Sequence, residues 1–524
     1  MDKKGNINAA LILFGVFIAT ALLSMDLGEK SLWVDEIFSV NAVRHFNNSF
    51  GDFFSFIAGD VHPPLYFLLL SLWAKLSGDS DISIRFFSVL CALLVIAANY
   101  FFTKKILTRS TAILSSFIIG ISPFFLLYSR MARYYVLEAL LVCVCNILFL
   151  KIMEGKRTLP VTMSYIVFSA AVPWCFYPAA LLIVSHTACF FILKRYHNIP
   201  AKYWIITQSI IALCILPALL LSMNQTSRFS NDINADLSAS PLGTIAAAGD
   251  MLYEFSCGGT IFPWGISALL LLAITSIFTA RGLFFLWKEE KKIFLLLITL
   301  FLIPAAGMLI IFNTIASNHS FILFASRCFF LFPVFTVILA KGFYSFPGFK
   351  KLIIPIFVIL NFFPIKSYFS GDSFLNPIYA IPSREIAHEI AANYSQNDLV
   401  IAPADSAVPE YLERLARRPE TYEYDNRMNA ISAIKEKRPE FVIIVSLGRD
   451  RMQKLYEDDP EEAVTQIGYS FEKQINYLKS DKTFLALKEF LFKKKSYQYK
   501  VTTKVFKKIP FLTGRETIEN PSHI

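Results

Sequence analysis

Through its first 370 positions the chain is a succession of long apolar blocks separated by short polar stretches. A block of roughly 17 to 22 apolar residues crosses about 30 Å of hydrocarbon as a helix, because a helix satisfies its backbone hydrogen bonds internally. Eleven blocks predict such spans, at approximately residues 7–25, 84–103, 111–128, 134–151, 160–174, 178–193, 203–222, 262–280, 293–312, 328–340 and 352–369. The run from Pro64 to Leu76 is apolar enough to suggest a further span, but at about 13 residues it is better read as not crossing. It predicts a helix lying in the outer interface, with Tyr66 and Trp73 at headgroup level. Beyond residue 370 the pattern changes. PSREIAHEIAANY reads as an amphipathic helix, NDLVIAP as a strand, VPEYLERLARR as a helix and PEFVIIVSLG as a buried strand, which together predict an α/β domain over 371–524. The Lys-rich segment from Phe492 to Lys508 reads as strands with exposed cations, on a solvated edge or against anionic headgroups.

Charge fixes a direction for these blocks. Lys3, Lys4, Lys104, Lys105, Lys151, Lys194, Lys288 and Lys341 fall in alternate loops, which the excess of cations on cytoplasmic loops assigns to the inside. Residues 26–83, 129–133, 174–177, 223–261 and 313–327 then face outward with the tail. Making Pro64–Leu76 cross would break this alternation. The predicted fold is a polytopic α-helical membrane protein of about eleven transmembrane helices, with interfacial helices in the first outer loop and a C-terminal extracytoplasmic α/β domain. The expected location is the inner (plasma) membrane, multi-pass, with a cytoplasmic N-terminus. Ala19-Thr20-Ala21 is a passable cleavage site, but the apolar run continues through Leu22 and Leu23, which favours an uncleaved anchor.

Composition agrees with that picture. The 524 residues are 55% hydrophobic and only 17% charged, too apolar for a soluble chain of that length. Residues 370–524 hold 23 basic and 23 acidic side chains, so the net excess of +10 lies in the membrane part. Its cations are scattered in small clusters rather than along one continuous face, which argues against nucleic acid as a partner. The eight cysteines sit in or beside apolar blocks, without zinc-ligand spacing, and read as small core residues.

Acidic side chains are scarce in the membrane part, so their positions carry information. Asp35 and Glu36 lie in SLWVDEIFS, among apolar neighbours just beyond the first block. Partial desolvation and mutual repulsion would make one of the pair a better acceptor for a hydroxyl proton; an ordinary solvated loop is the alternative. In GDVHPPLYF, Pro63 and Pro64 stiffen the backbone and aim His62 toward the membrane surface, as a ligand or substrate contact or simply as a polar loop residue. YSRMARYYVLE puts Arg130 and Arg133 on an outer turn, where charge-driven topology gives cations no advantage and where the guanidinium fork suits a phosphate. Glu138 follows one turn into the fourth block, as a functional carboxylate or as a salt-bridge partner of an arginine such as Arg133. Arg327 stands alone at another outer boundary, preceded by Asn318 and His319, and is a second candidate phosphate contact. His186 more often bonds a neighbouring helix than a ligand. Ionisable groups thus gather on one face and avoid the span centres, which disfavours an ion-coupled transporter.

These motifs carry a resemblance. Asp35-Glu36 after the first span, HPPLY in the first outer loop, the YSxxARxY stretch after the third span and a late Ser326-Arg327 followed by Pro333 resemble the bacterial members of the glycosyltransferase C superfamily. The branch is the one that groups protein O-mannosyltransferases with the lipid A aminoarabinose transferase. It covers roughly residues 1–370; nothing in it covers the tail. It implies an enzyme, a hexosyl- or pentosyltransferase, that performs inverting transfer of a sugar from a polyprenyl-phosphate-linked donor to an acceptor hydroxyl on the extracytoplasmic membrane face. The implied partners are that donor, a lipid, polysaccharide or protein acceptor, and the bilayer. By the same resemblance Asp35 is the catalytic carboxylate with Glu36 as its neighbour, Arg133 and Arg327 offset charge on the departing phosphate, and Glu138, in the stretch with Tyr135, orients sugar or acceptor. His62 stands where the aminoarabinose transferase has an acidic residue and Pro63 where it has Lys, so the donor sugar need not be aminoarabinose. A divalent metal held by His62, His319 and Glu138 is possible only if folding gathers them. A non-enzymatic polyprenyl-glycan flippase is the alternative.

Overall fold

The computed structural model describes residues 15–230, 241–315, 324–346, 348, 350–371, 374–402, 407–415, 418–423, 427–446, 465, 469–479 and 500–508. By compactness the chain divides into two units, Met1–Glu29 with Phe38–Asn376, and Lys30–Ile37 with Pro377–Ile524. The segment carrying Asp35 and Glu36 therefore groups with the tail. The division falls inside helix α2 (Val34–Asn48), which follows α1 (Gly15–Ser24).

The first unit is helical. Among the described residues six helices are long and apolar enough to cross a membrane: α5 (Asp81–Ile106), α8 (Tyr135–Met153), α11 (Ala201–Ser230), α13 (Ile266–Glu289), α14 (Lys291–Ile315) and α17 (Lys350–Ser370). A seventh candidate is the pair α6 (Arg109–Ile121) and α7 (Pro123–Ser129), bent by 59°. All seven coincide with predicted spans, although α13 begins and ends later than the expected 262–280, because residues 261–265 form a turn and the apolar run continues to Trp287. The other four predicted spans fall on shorter apolar helices: α1, α9 (Leu159–Cys175), α10 (Leu181–Ile192, led in by a 3-10 turn) and α16 (Phe332–Tyr344). Between α1 and α5 the first unit holds most of α2, α3 (Phe50–Ala58) and α4 (Leu65–Ser77), and α4, the apolar run expected not to cross, is 13 residues long. Large apolar side chains stand uncovered on the outward faces, Leu213 at 69% exposure and Ile266 at 78%, as a hydrocarbon solvent allows.

Local sequence explains the element ends. Ser80 and Thr108 cap α5 and α6 by accepting amide hydrogens of Ser83 and Thr111. At the α6–α7 bend Ser122 accepts from the Phe125 amide and Pro123 supplies a first helical residue that needs no acceptor. Polar side chains tie helices where lipid offers no partner: Asn99 donates to Ser115 at 2.8 Å, and Ser115 meets Thr336 at 3.0 Å. His186 behaves as expected, its ring bonded to Tyr165 and Asn146 at 2.9 Å each. The tightest crossing joins α13 to α16. A Cβ on Gly282 would stand 2.1 Å from the Ile338 carbonyl oxygen, and one on Gly342 1.8 Å from that of Phe278.

The second unit holds a five-stranded sheet, β1 (Leu399–Ala402), β2 (Glu420–Glu423), β3 (Phe441–Ser446), β4 (Tyr469–Lys479) and β5 (Lys500–Lys508), in the order β2-β1-β3-β5-β4. Strand β1 pairs in parallel with β2 and β3, as the connecting helices α19 (Val408–Glu413) and α20 (Arg427–Lys437) require, while β5 pairs antiparallel with β3 and β4. Helix α18 (Ser383–Asn393) precedes the sheet. Leu399, Ile401, Val442, Ile444 and Phe506 form its core with Ile434. The α/β pattern read from the tail is present. The solvated-edge reading of the Lys-rich strand is corrected: β5 is internal, and Thr503, Val505 and Phe506 are buried while Lys507 stays exposed. Residues 492–499 lie outside the described residues.

Candidate active site

The loop before α4 and the turn before α8 converge. Gln225, buried on α11, donates to the carbonyl oxygens of Ile57 at 3.0 Å and His62 at 3.4 Å, and itself accepts from the Tyr177 hydroxyl at 2.9 Å. The loop thus held presents His62 between two charged groups. Its Nδ1 lies 2.8 Å from Asp60 Oδ1, and its Nε2 lies 2.6 Å from Arg133 Nη2. A guanidinium only donates, so Nε2 is the acceptor and the ring proton sits on Nδ1, facing Asp60. Burial works to raise the Asp60 carboxyl, but the hydrogen bond from His62, the Val61 amide and the charge of Arg133 outweigh it and hold the group below its ordinary value.

Arg133 is 1% exposed. Its guanidinium lies over Phe67 at 5.8 Å and over Tyr134 at 5.5 Å. Ser39 of α2 donates to the Ala132 carbonyl at 2.7 Å and fastens the turn from the other side. Arg327, at the end of α15 (Phe324–Arg327), is half-buried and makes no hydrogen bond or ion pair with a described residue. Tyr135 packs against Tyr134 at 4.7 Å and Tyr128 at 5.3 Å.

Glu138 is fully buried, and neither carboxylate oxygen has a hydrogen-bond partner among the described residues. The alternative of a salt bridge to Arg133 is therefore overturned, since Arg133 is turned to His62 instead. Arg130 has its own partners, donating to the Leu22 carbonyl at 2.8 Å and lying over Tyr368 and Phe369 at 5.3 and 5.1 Å. The structure does not join it to the His62–Arg133 network. Both ring nitrogens of His62 are engaged, which leaves it no lone pair for a metal, and no cluster of three or more metal-ligating side chains forms among the described residues. Asn318 and His319 lie outside those residues.

In the second unit, Glu36 is 1% exposed and its Oε2 accepts from the Trp33 amide at 3.3 Å. It reaches back three residues to the start of its own helix, the spacing of a capping box. That gives Glu36 a structural task and leaves Asp35, half-buried in the first turn, as the other carboxylate of the pair.

Two features escaped the sequence reading. Asp60 stands two residues before His62, and its x-His spacing was the available signal. Asp250 and Glu254 lie one turn apart on α12 (Pro241–Cys257) in the first unit, Asp250 half-buried and Glu254 buried, with the Tyr128 hydroxyl donating to Glu254 at 3.0 Å. Burial pushes both carboxyls well above their ordinary range, and the charge of Asp250 pushes Glu254 further.

Comparison with known proteins gives a family match over part of the chain and a shared fold over most of it. Residues 61–221 match the family described as dolichyl-phosphate-mannose-protein mannosyltransferase, a stretch that includes His62, Arg130, Arg133, Tyr135 and Glu138. ArnT from Cupriavidus metallidurans bound to undecaprenyl phosphate is similar over 98% of this chain and 100% of its own, at 8% identity and a TM-score of 0.54. The same enzyme in the apo state is similar over 96% and 98%, at 9% identity and a TM-score of 0.55. No curated protein sequence matches the chain significantly. The family match and the shared fold bear out the resemblance to the glycosyltransferase C superfamily and to its branch of protein mannosyltransferases and ArnT.

Proposed function

We propose that the protein transfers a sugar, with inversion, from a polyprenyl-phosphate donor to an acceptor hydroxyl at the extracytoplasmic face of the inner (plasma) membrane. The arrangement envisaged has eleven crossings, the seven long spans and the four shorter apolar helices, with the N-terminus cytoplasmic and the tail extracytoplasmic. Asp35 takes the proton of the acceptor hydroxyl while that oxygen attacks the anomeric carbon. The bond from this carbon to the phosphate oxygen breaks on the opposite side, and its electron pair leaves with the phosphate. Arg133 and Arg327 offset the charge that develops there, the electrostatic help that contributes most in a site shielded from water. Tyr135 and Glu138 face the sugar, the carboxylate as an acceptor for its hydroxyls.

One observation carries this reading. Arg133, 1% exposed in the turn that leads into α8, is held by His62 Nε2 at 2.6 Å, a buried guanidinium fixed in place. Such a group is suited to a lipid-linked phosphate. The fold shared with ArnT, solved with undecaprenyl phosphate bound, supports the choice of donor class.

The test uses purified protein in nanodiscs with synthetic polyprenyl-phosphate sugars and an acceptor lipid. Asp35→Asn is expected to abolish transfer while donor binding persists. Wild-type turnover by that variant, or movement of the donor across the bilayer without transfer, would sink the proposal in favour of a flippase.

A further inference from the structure

The peptide that leads into α2 is held by residues that lie more than 340 positions away in sequence, all in the C-terminal unit. Ser31 Oγ donates to Glu385 Oε2 at 3.1 Å and accepts from the Arg384 amide at 3.0 Å. The next residue, Leu32, donates its amide to the Tyr411 hydroxyl at 2.8 Å. The one after that, Trp33, meets Tyr379 edge to face, with ring centroids 4.8 Å apart. All three are buried.

The grip has a physical origin in the tail's own sequence. Helix α18 starts after Pro382, which supplies no side-chain cap, so the amides of its first turn need an acceptor from elsewhere. Ser31 supplies one from the far end of the chain. Tyr411 is itself fixed, with the guanidinium groups of Arg384 and Arg414 over its ring at 5.2 Å each. Glu36 then closes the Trp33 amide, so α2 starts from a peptide whose direction is set on three consecutive residues. Asp35 is two residues past the last of them.

We infer that the C-terminal unit aligns the proposed base: Ser31, Glu385 and Tyr411 are positioning residues that fix the first turn of α2 and with it the Asp35 carboxylate. This rests on the assignment of Asp35 as the base. A general base works only within hydrogen-bond reach of the proton it takes, in a narrow range of angles, so loss of the grip slows the chemical step without touching the donor's phosphate.

The experiment uses the full-length protein with Ser31→Ala and Tyr411→Phe, with Asp35→Asn as a separate variant, and hydrogen exchange on residues 31–37. Each of the first two is expected to lower kcat about 10-fold with donor KM unchanged and to lose protection at residues 31–37 only. Ser31→Thr, which keeps the hydroxyl, is expected to restore kcat. Wild-type kcat in both variants, a change in KM alone, or protection lost without loss of rate overturns the inference. Transfer surviving in Asp35→Asn itself fails the base assignment instead, and the exchange data still report whether the tail holds the segment. Should Tyr411→Phe fail to fold, the Ser31→Ala and Ser31→Thr pair decides the outcome.

Discussion

Replacing His62 by Ala removes the acceptor that holds Arg133 Nη2 at 2.6 Å. Because Arg133 is 1% exposed, water does not readily replace the lost partner. A hydrogen bond to a charged group contributes about 1.5 to 3 kcal/mol, and each 1.36 kcal/mol in a barrier is tenfold in rate. If Arg133 acts on charge that appears only in the transition state, the loss falls on kcat, by about 10- to 100-fold, and donor KM moves little. His62→Gln offers an amide oxygen in place of Nε2 and should recover most of the rate. Steady-state transfer at saturating acceptor, with donor concentration varied, separates the two parameters. Undiminished kcat in His62→Ala, with the protein folded, would refute the idea that the imidazole holds the guanidinium for catalysis.

Three further outcomes follow from the geometry. A methyl group at Gly282 or Gly342 meets backbone oxygen at 2.1 or 1.8 Å, so Gly282→Ala and Gly342→Ala should each cost about 1 to 3 kcal/mol and lower the melting temperature in detergent; an unchanged Tm in both would mean that α13 and α16 are not that close. Asp60 is held below its ordinary 3.8, so its stabilising contribution is complete above that value and is lost as pH falls through the lower, folded-state value. Between about pH 6 and pH 3 the melting temperature of Asp60→Asn should therefore fall less than that of the wild type, and equal falls would contradict the assignment. Glu254 has a folded-state value raised above 4.5, so its burial favours the protonated form and costs stability as pH rises past that point. Glu254→Gln, which keeps an acceptor for Tyr128, should leave the Tm at neutral pH equal or higher, whereas Glu254→Ala should lower it.

Much of the membrane architecture was legible because it depends on local pattern. Apolar run length marks α5, α8 and α17 to within about three residues at each end. The tail read correctly where helix period and strand period alternate cleanly. It misread β5, because lysines at every few positions suggest a solvated edge while the alternate residues Thr503 and Val505 point to a core that only pairing with β3 and β4 creates. In the site, Arg130 and Arg133 signalled themselves because the expected topology gives cations no advantage on their turn. The relation of Asp60 to His62 and Arg133 depends on how a proline-stiffened loop meets a turn 71 residues away, which no periodicity encodes. Glu36 was paired with Asp35 by adjacency, although three-residue spacing to Trp33 separates their tasks. The attachment of residues 30–37 to the tail spans 354 positions between Ser31 and Glu385, and nothing in either segment announces the other.

All seven residues of α7, from Pro123 to Ser129, are covered by protein on every side. A helix without an outer surface has no interface with acyl chains, so it cannot tilt or slide to follow the thickness of the bilayer around it. The arginine turn that α7 carries is therefore registered against neighbouring helices alone. Reconstitution in shorter or longer lipids should change how readily the isoprenoid arrives while leaving the rate of the bound complex constant.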